Sequence, residues 1–356
     1  MVTLEQRSNW HADTLKNDPS WIFHIDDQGK RELVECVMRV YDPAKTLFDY
    51  TLADLKLGQV WSVFVKALEE VKEGRGVALV KGMPRAELTD KQFEVLTWAL
   101  GLNTGVPRPQ GKSTQYISAV RNAGTEYRTG TGRGYSSNAE LDFHTDSSDI
   151  IFLSCFNRAV SGGKTIISSS MAAHEVMARE YLDQLKWLYE PIAFSRQSEE
   201  APGEGLYVMQ PVFSQADGKW FGRWNWNRVR SAQKIPGAPQ LSAEHYAALE
   251  KFDEIVRSPA LAYEMWLEPG DVQILNSHVT LHSRTEFVDH EDPALKRLLY
   301  RLWIAPPDAP RLPECWRDLY RSCETNHVRG GIRGHCHGDA QLAFEARHAS
   351  DLGMQV

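Results

Sequence analysis

Glu140-Leu141-Asp142-Phe143-His144-Thr145-Asp146 is the stretch on which the reading of this chain turns. On a strand, residues two apart point to the same side, so the His144 imidazole and the Asp146 carboxylate face one point in space. One imidazole and one carboxylate suit a divalent metal, and a third ligand must then come from elsewhere. A short His-plus-acid pair also arises by chance in many chains, so the motif needs distant support.

Asn276-Ser277-His278-Val279-Thr280-Leu281-His282-Ser283-Arg284 offers that support through His278 or His282. Each has a bland reading as a hydrogen-bonded histidine near a strand end, and for His278 the bland reading is preferred. Two histidines and one carboxylate on one face of a metal form the facial triad of non-haem Fe(II) oxygenases, which leaves coordination positions open. A keto acid such as 2-oxoglutarate can chelate there, with O2 beside it, and its far carboxylate must then be held. Arginine suits that task because its planar fork pairs with a carboxylate bidentately. Arg297 and Arg301 follow His282 on one side of an otherwise apolar, alternating run, Arg297–Ile304. Two solvent-facing arginines on an edge strand would be the ordinary alternative.

Around these motifs the pattern is mainly β. Short β-branched or alternating runs occur at Gln115–Val120, Asp149–Phe156 and Thr165–Ser168, bounded by Gly, Ser and Asn. Leu206–Phe213 and Trp220–Trp226 flank Asp217-Gly218, which predicts a hairpin. Glu268-Pro269-Gly270-Asp271 reads as a turn launching a strand at Val272–Asn276. Helices are expected over 58–73, where Trp61, Phe64, Val65 and Leu68 share a face, and from Thr89. Thr89 and Gln92 have capping-box spacing, and Gly101 is placed at that helix's C-terminal cap. Two more helices follow Ser170 and Ser242. Residues 1–55 read as a polar, irregular N-terminal extension packed on the core, with residues 56–340 as the main domain and 341–356 as a tail. The expected architecture is an antiparallel β barrel or sandwich with helices outside it.

Composition limits the classes of function. The 356 residues are 42% hydrophobic with 11 Trp, enough for a large core and inconsistent with disorder. A net charge of −7 with no basic block leaves nucleic acid without an electrostatic footprint. No run of 18 apolar residues is present to span a membrane, and no signal-peptide pattern opens the chain. Five cysteines without a CxxC pair point to free thiols in a reducing compartment, so the cytoplasm is expected. The expected partner is a small-molecule substrate, with homo-oligomer formation allowed.

Taken in order, Phe143-His144-Thr145-Asp146, Gly162-Gly163-Lys164-Thr165, Pro269-Gly270-Asp271 leading to Asn276 and His282, and Arg297-Leu-Leu-Tyr-Arg301 resemble the taurine dioxygenase-like (TauD/TfdA) family of Fe(II)/2-oxoglutarate-dependent oxygenases. The resemblance spans roughly residues 76–335. It implies a double-stranded β-helix, the jelly-roll or cupin-like fold, with His144, Asp146 and His282 as iron ligands. It further implies that Thr165 and one or both of Arg297 and Arg301 bind 2-oxoglutarate, with Arg297 placed first by its spacing from His282. The implied reaction oxidises an unactivated C–H bond with O2 and releases succinate and CO2. Hydroxylation is the expected outcome, with desaturation or ring closure as variants.

In such relatives the segment before the first His often meets the substrate, which makes Tyr135, Ser136 and Asn138 candidates, with Arg223 on the predicted hairpin as another. The glycine-rich stretch Tyr127–Asn138 matches no phosphate-binding motif and reads as a simple surface loop, ahead of a mobile loop over the site entrance. His327 and His335-Cys336-His337 could suggest zinc, but read better as surface histidines. Two rival functions stand: a zinc metallohydrolase built on the same triad, which leaves Thr165 and both arginines unexplained, and a non-enzymatic β-barrel binding protein.

Overall fold

The computed structural model describes residues 7–127 and 134–356. Its frame is a pair of facing sheets. The larger has seven strands, running in the order Ile22–His24, Val77–Lys81, Val272–Asn276, Ile150–Asn157, Leu298–Ala305 and Val106–Pro107, with Ile117–Val120 also paired to Leu298–Ala305. The smaller orders Tyr263–Met265, Thr165–Ser169, Thr280–Arg284 and Leu141–His144. Ladders are antiparallel except the edge pair Ile22–His24 with Val77–Lys81.

Alternation along each strand sorts side chains into two apolar layers. Ile151, Leu153, Leu275, Leu299 and Trp303 point inward and meet Ile167 of the smaller sheet. Phe152, Ile274, Tyr300, Leu302 and Ile304 point outward and pack with the helices Asp27–Val40, Trp61–Glu73 and Asp90–Thr104. Phe143 and Leu281 on the smaller sheet's outer face are covered by Ser170–Glu180 and Ala243–Val256. Strand Ile150–Asn157 is therefore buried along its whole length. The result is a double-stranded β-helix with helices outside both sheets.

Three expectations change. Gly101 lies inside the helix Asp90–Thr104, not at its cap, because a side chain there would press on Leu302 and Ile304; Gly105 ends the helix. The Asp217-Gly218 hairpin joins Phe213–Ala216 to Lys219–Gly222, while Tyr207–Gln210 pairs back with Ile192–Ser195. Residues 7–55 are not irregular: they hold the amphipathic helix Asp27–Val40 and the sheet's edge strand. The tail 341–356 is mostly helical, since the helix Asp339–Asp351 buries Phe344, Glu345 and Ala349.

Candidate active site

Strand Leu141–His144 ends two residues before Asp146, yet His144 and Asp146 still share a side. The backbone beyond the strand stays paired: His144 bridges Asn225, and Thr145 N–H donates to Trp224 O at 2.8 Å. The same strand carries an extra residue, because His282 faces His144 while Arg284 faces Leu141. That bulge turns both Leu141 and His144 toward the interior.

His144, Asp146 and His282 bring three ligand atoms within 4.8 Å of one another, the only such group of histidine, cysteine or acidic residues among the described residues. His144 Nε2 lies 4.0 Å from Asp146 Oδ1, and His282 Nε2 lies 3.8 Å from Asp146 Oδ2. Asp142 O stands 2.9 Å from His144 Nδ1, so that nitrogen donates to it and Nε2 is the ring atom turned toward Asp146. Burial, then the neighbouring His144, pushes His282 down to about 3, so its imidazole is neutral. Burial alone would raise the Asp146 carboxyl, but the Arg301 guanidinium, with His282 and His144, holds it well below the usual carboxylate range. Trp303 Nε1–H also donates to Asp146 Oδ2 at 2.9 Å. Two imidazoles and one ionised carboxylate are the donor set a divalent transition metal takes.

A cavity open to solvent lies against this group. Thr165, Arg284, Arg297 and Arg301 line it, as does Tyr135. The Thr165 hydroxyl is 3.1 Å from Gln273 Oε1. Arg297 is 5% exposed and donates to Val120 O at 3.4 Å; burial pulls it down to about 10. Gly162 and Gly163 permit this arrangement: both have positive φ, and a Cβ at Gly163 would sit 3.1 Å from Arg297 Nε. Arg301 points differently, with Nη1 3.2 Å from Asp146 Oδ2 and Nε donating to Gln110 Oε1 at 2.9 Å.

The other sequence candidates divide. His278 lies outside the group, with Nε2 2.9 Å from Asp149, which Arg329 also pairs. Of the four substrate candidates, Tyr135 alone lines the cavity. Asn138 instead donates to Phe287 O, and Ser136 O accepts the Ala123 N–H. Arg223 is buried behind the site, where it donates to Ser147 Oγ at 3.2 Å. Part of the Tyr127–Asn138 loop, residues 128–133, lies outside the described residues. In the chain's last segment His337 is not a surface histidine; its Nε2 is 3.2 Å from the buried Glu345. Asn225, also weighed from the sequence as a substrate contact, lines the cavity, whereas sequence reading missed Arg284, Gln273, Trp303 and the lining residues Gln197, Asn227 and Arg228. Arg284 had a signal, two residues beyond His282 on one strand; Gln197, Asn227 and Arg228 had none, since the segments that carry them meet the site only after folding.

A sequence profile of the taurine catabolism dioxygenase TauD, TfdA family matches residues 48–303. FR-33289 synthase of Streptomyces rubellomurinus is 28% identical over 311 residues, 86% of this chain and 91% of that protein. The taurine hydroxylase-like protein SAT17 of Stachybotrys chartarum is 30% identical over 181 residues, covering 47% and 45%. Among solved structures, asparagine oxygenase with Fe(II), 3-hydroxyasparagine and succinate superposes with a TM-score of 0.60 at 16% identity, covering 80% of this chain and 93% of that one. The oxygenase OrfP with Fe and α-ketoglutaric acid gives 0.58 at 16% identity, covering 80% and 94%. No helix among the described residues is long and apolar enough to cross a membrane. With a family match over most of its length and a fold of the same kind, the chain belongs to the TauD/TfdA family of non-haem iron, 2-oxoglutarate-dependent dioxygenases.

Proposed function

We propose that His144, Asp146 and His282 hold the Fe(II), and that Arg297 with Thr165 binds the distal carboxylate of 2-oxoglutarate. The observation that carries this reading is one cavity lined on one side by a His/carboxylate/His face and on the other by a buried arginine with no acidic partner among the described residues. A zinc hydrolase needs the first feature and has no use for the second. Arg301 is assigned to Asp146, whose carboxylate it orients and keeps ionised, and not to the co-substrate.

Bound iron, 2-oxoglutarate and O2 supply the oxidation, in which the substrate C–H gains an oxygen atom while the keto acid loses CO2 and becomes succinate. The chain supplies geometry. Asp142 O sets the His144 tautomer, Arg301 and Trp303 fix the Asp146 carboxylate, and Arg297 fixes the far end of the co-substrate so that its keto-acid end meets the metal face. Leu141, Leu153 and Leu299 form an apolar wall that limits water around the reacting atoms.

The substrate is a small molecule hydroxylated at an unactivated carbon, entering past Tyr135, Gln197, Asn225 and Asn227. This rests on the cavity and on relatives such as the asparagine oxygenase, which is seen with a hydroxylated amino acid. Residues 22–351 act as one oxygenase unit, because the edge strand and the final helix both pack into its layers. All five cysteines are free, which supports a reducing, cytoplasmic setting.

Anaerobic absorption spectroscopy tests the reading before any substrate is known. Fe(II) plus 2-oxoglutarate should give a weak visible charge-transfer band, which requires open metal positions. Zn(II), with a filled d shell, cannot give it. No band with iron, together with ester or amide hydrolysis by the zinc form, would overturn it.

A further inference from the structure

The cavity holds a guanidinium that the reading above leaves unused. Arg284 is 4% exposed and lines the same cavity as Arg297 and Thr165. Its backbone sits directly opposite Thr165 in the antiparallel ladder, and directly opposed residues on antiparallel strands project to the same face. Arg284 Nη2 is anchored to Ser137 O at 2.8 Å and to Ala139 O. Nε and Nη1 are buried and have no hydrogen-bond partner among the described residues.

Arg284 and Arg297 flank one aromatic ring. Their guanidinium carbons stand 4.7 and 5.0 Å from the Phe287 centroid. Among the described residues no carboxylate lies within ion-pairing distance of either, whereas Arg301 pairs with Asp146 and Arg228 with Glu199. Two buried cations side by side, without an anion, repel each other in a low-dielectric setting. Burial first, and then the charge of Arg297, lowers Arg284 to about 9. A carboxylate has two oxygens with about four lone-pair sites, so one arginine and one hydroxyl do not saturate it.

We propose that Arg284 is a second arginine of the 2-oxoglutarate clamp, its Nε or Nη1 donating to the distal carboxylate beside Arg297 and Thr165. The inference rests on the iron and 2-oxoglutarate reading above. It gives the chain a two-arginine, one-hydroxyl subsite that selects for a keto acid with a second carboxylate. It also links occupancy of that subsite to the Ser137–Ala139 backbone, which precedes the first metal-site histidine.

The test uses the full chain, loaded anaerobically with Fe(II), and two probes of equal length: 2-oxoglutarate and 2-oxopentanoate, which lacks the distal carboxylate. Binding is followed by the visible band, or by thermal shift where the band is weak. Arg284→Gln should raise the 2-oxoglutarate dissociation constant tenfold or more and leave 2-oxopentanoate within twofold, with Arg284→Lys in between. Should Arg284→Gln fail to fold, Arg284→Lys carries the same comparison, since lysine keeps the charge but not the fork. Equal weakening of both keto acids would make Arg284 a backbone staple only and overturn the proposal. Unchanged binding of both, as expected for an arginine that meets an anionic group on the substrate, would overturn it too. No band from the wild-type protein with 2-oxoglutarate would overturn the parent reading instead.

Discussion

The Arg301 guanidinium stands 3.2 Å from the Asp146 carboxylate, and that contact separates the roles of two arginines four residues apart. Arg297 has no acidic partner among the described residues and faces the cavity, while Arg301 is engaged by a candidate metal ligand and by Gln110. The two should therefore fail differently when removed.

Arg297→Leu should weaken 2-oxoglutarate binding by about 2–5 kcal/mol, roughly 30-fold or more, with iron binding intact. Arg301→Leu should instead weaken iron about 10–100-fold, the usual cost of losing a group that orients a metal ligand. Iron affinity and keto-acid affinity, measured separately on the anaerobic protein, distinguish them. A large keto-acid effect confined to Arg301→Leu would exchange the two assignments.

His144→Ala, Asp146→Ala and His282→Ala should each abolish stoichiometric Fe(II) binding, whereas His278→Ala should retain it. His278 is packed against Asp149 and Arg329, so its removal should lower the melting temperature. Iron content after anaerobic loading and desalting checks this. Loss of iron from His278→Ala in a well-folded protein would move the third ligand.

Glu345 predicts an acid-sensitive contact far from the site. Burial would raise its carboxyl, but Arg108, His337 and Tyr116 bring it down to about 2. A carboxyl lowered on folding adds stability above its ordinary value of 4.5 that is lost as pH falls toward 2. Arg108 Nη1 is 2.8 Å away with both side chains 1% exposed, so Glu345→Gln leaves a buried cation unpaired. It should cost about 3 kcal/mol at pH 7 and flatten the decline in stability between about pH 5 and pH 2. Urea denaturation across pH reads both effects, and an unaltered acid slope would contradict the assignment.

Local sequence alone determined the parts whose physics is local. The spacing of Trp61, Phe64 and Leu68 produced a helix, Thr89 with Gln92 capped another, and Asp217-Gly218 turned a hairpin. His144 and Asp146 lie two residues apart in extended chain, so their shared side needed no knowledge of the rest. Tertiary structure decided whatever depended on distant backbone. It grouped His282, and not His278, with His144 and Asp146, because ladder register faces His282 to His144 while His278 turns to Asp149. It sent Arg301 to Asp146, buried Arg223 behind the site and brought Arg284 opposite Thr165. A one-residue bulge, such as the one in Leu141–His144, changes which side chains face inward. Its position is set by pairing with a strand more than a hundred residues away, which no local pattern encodes.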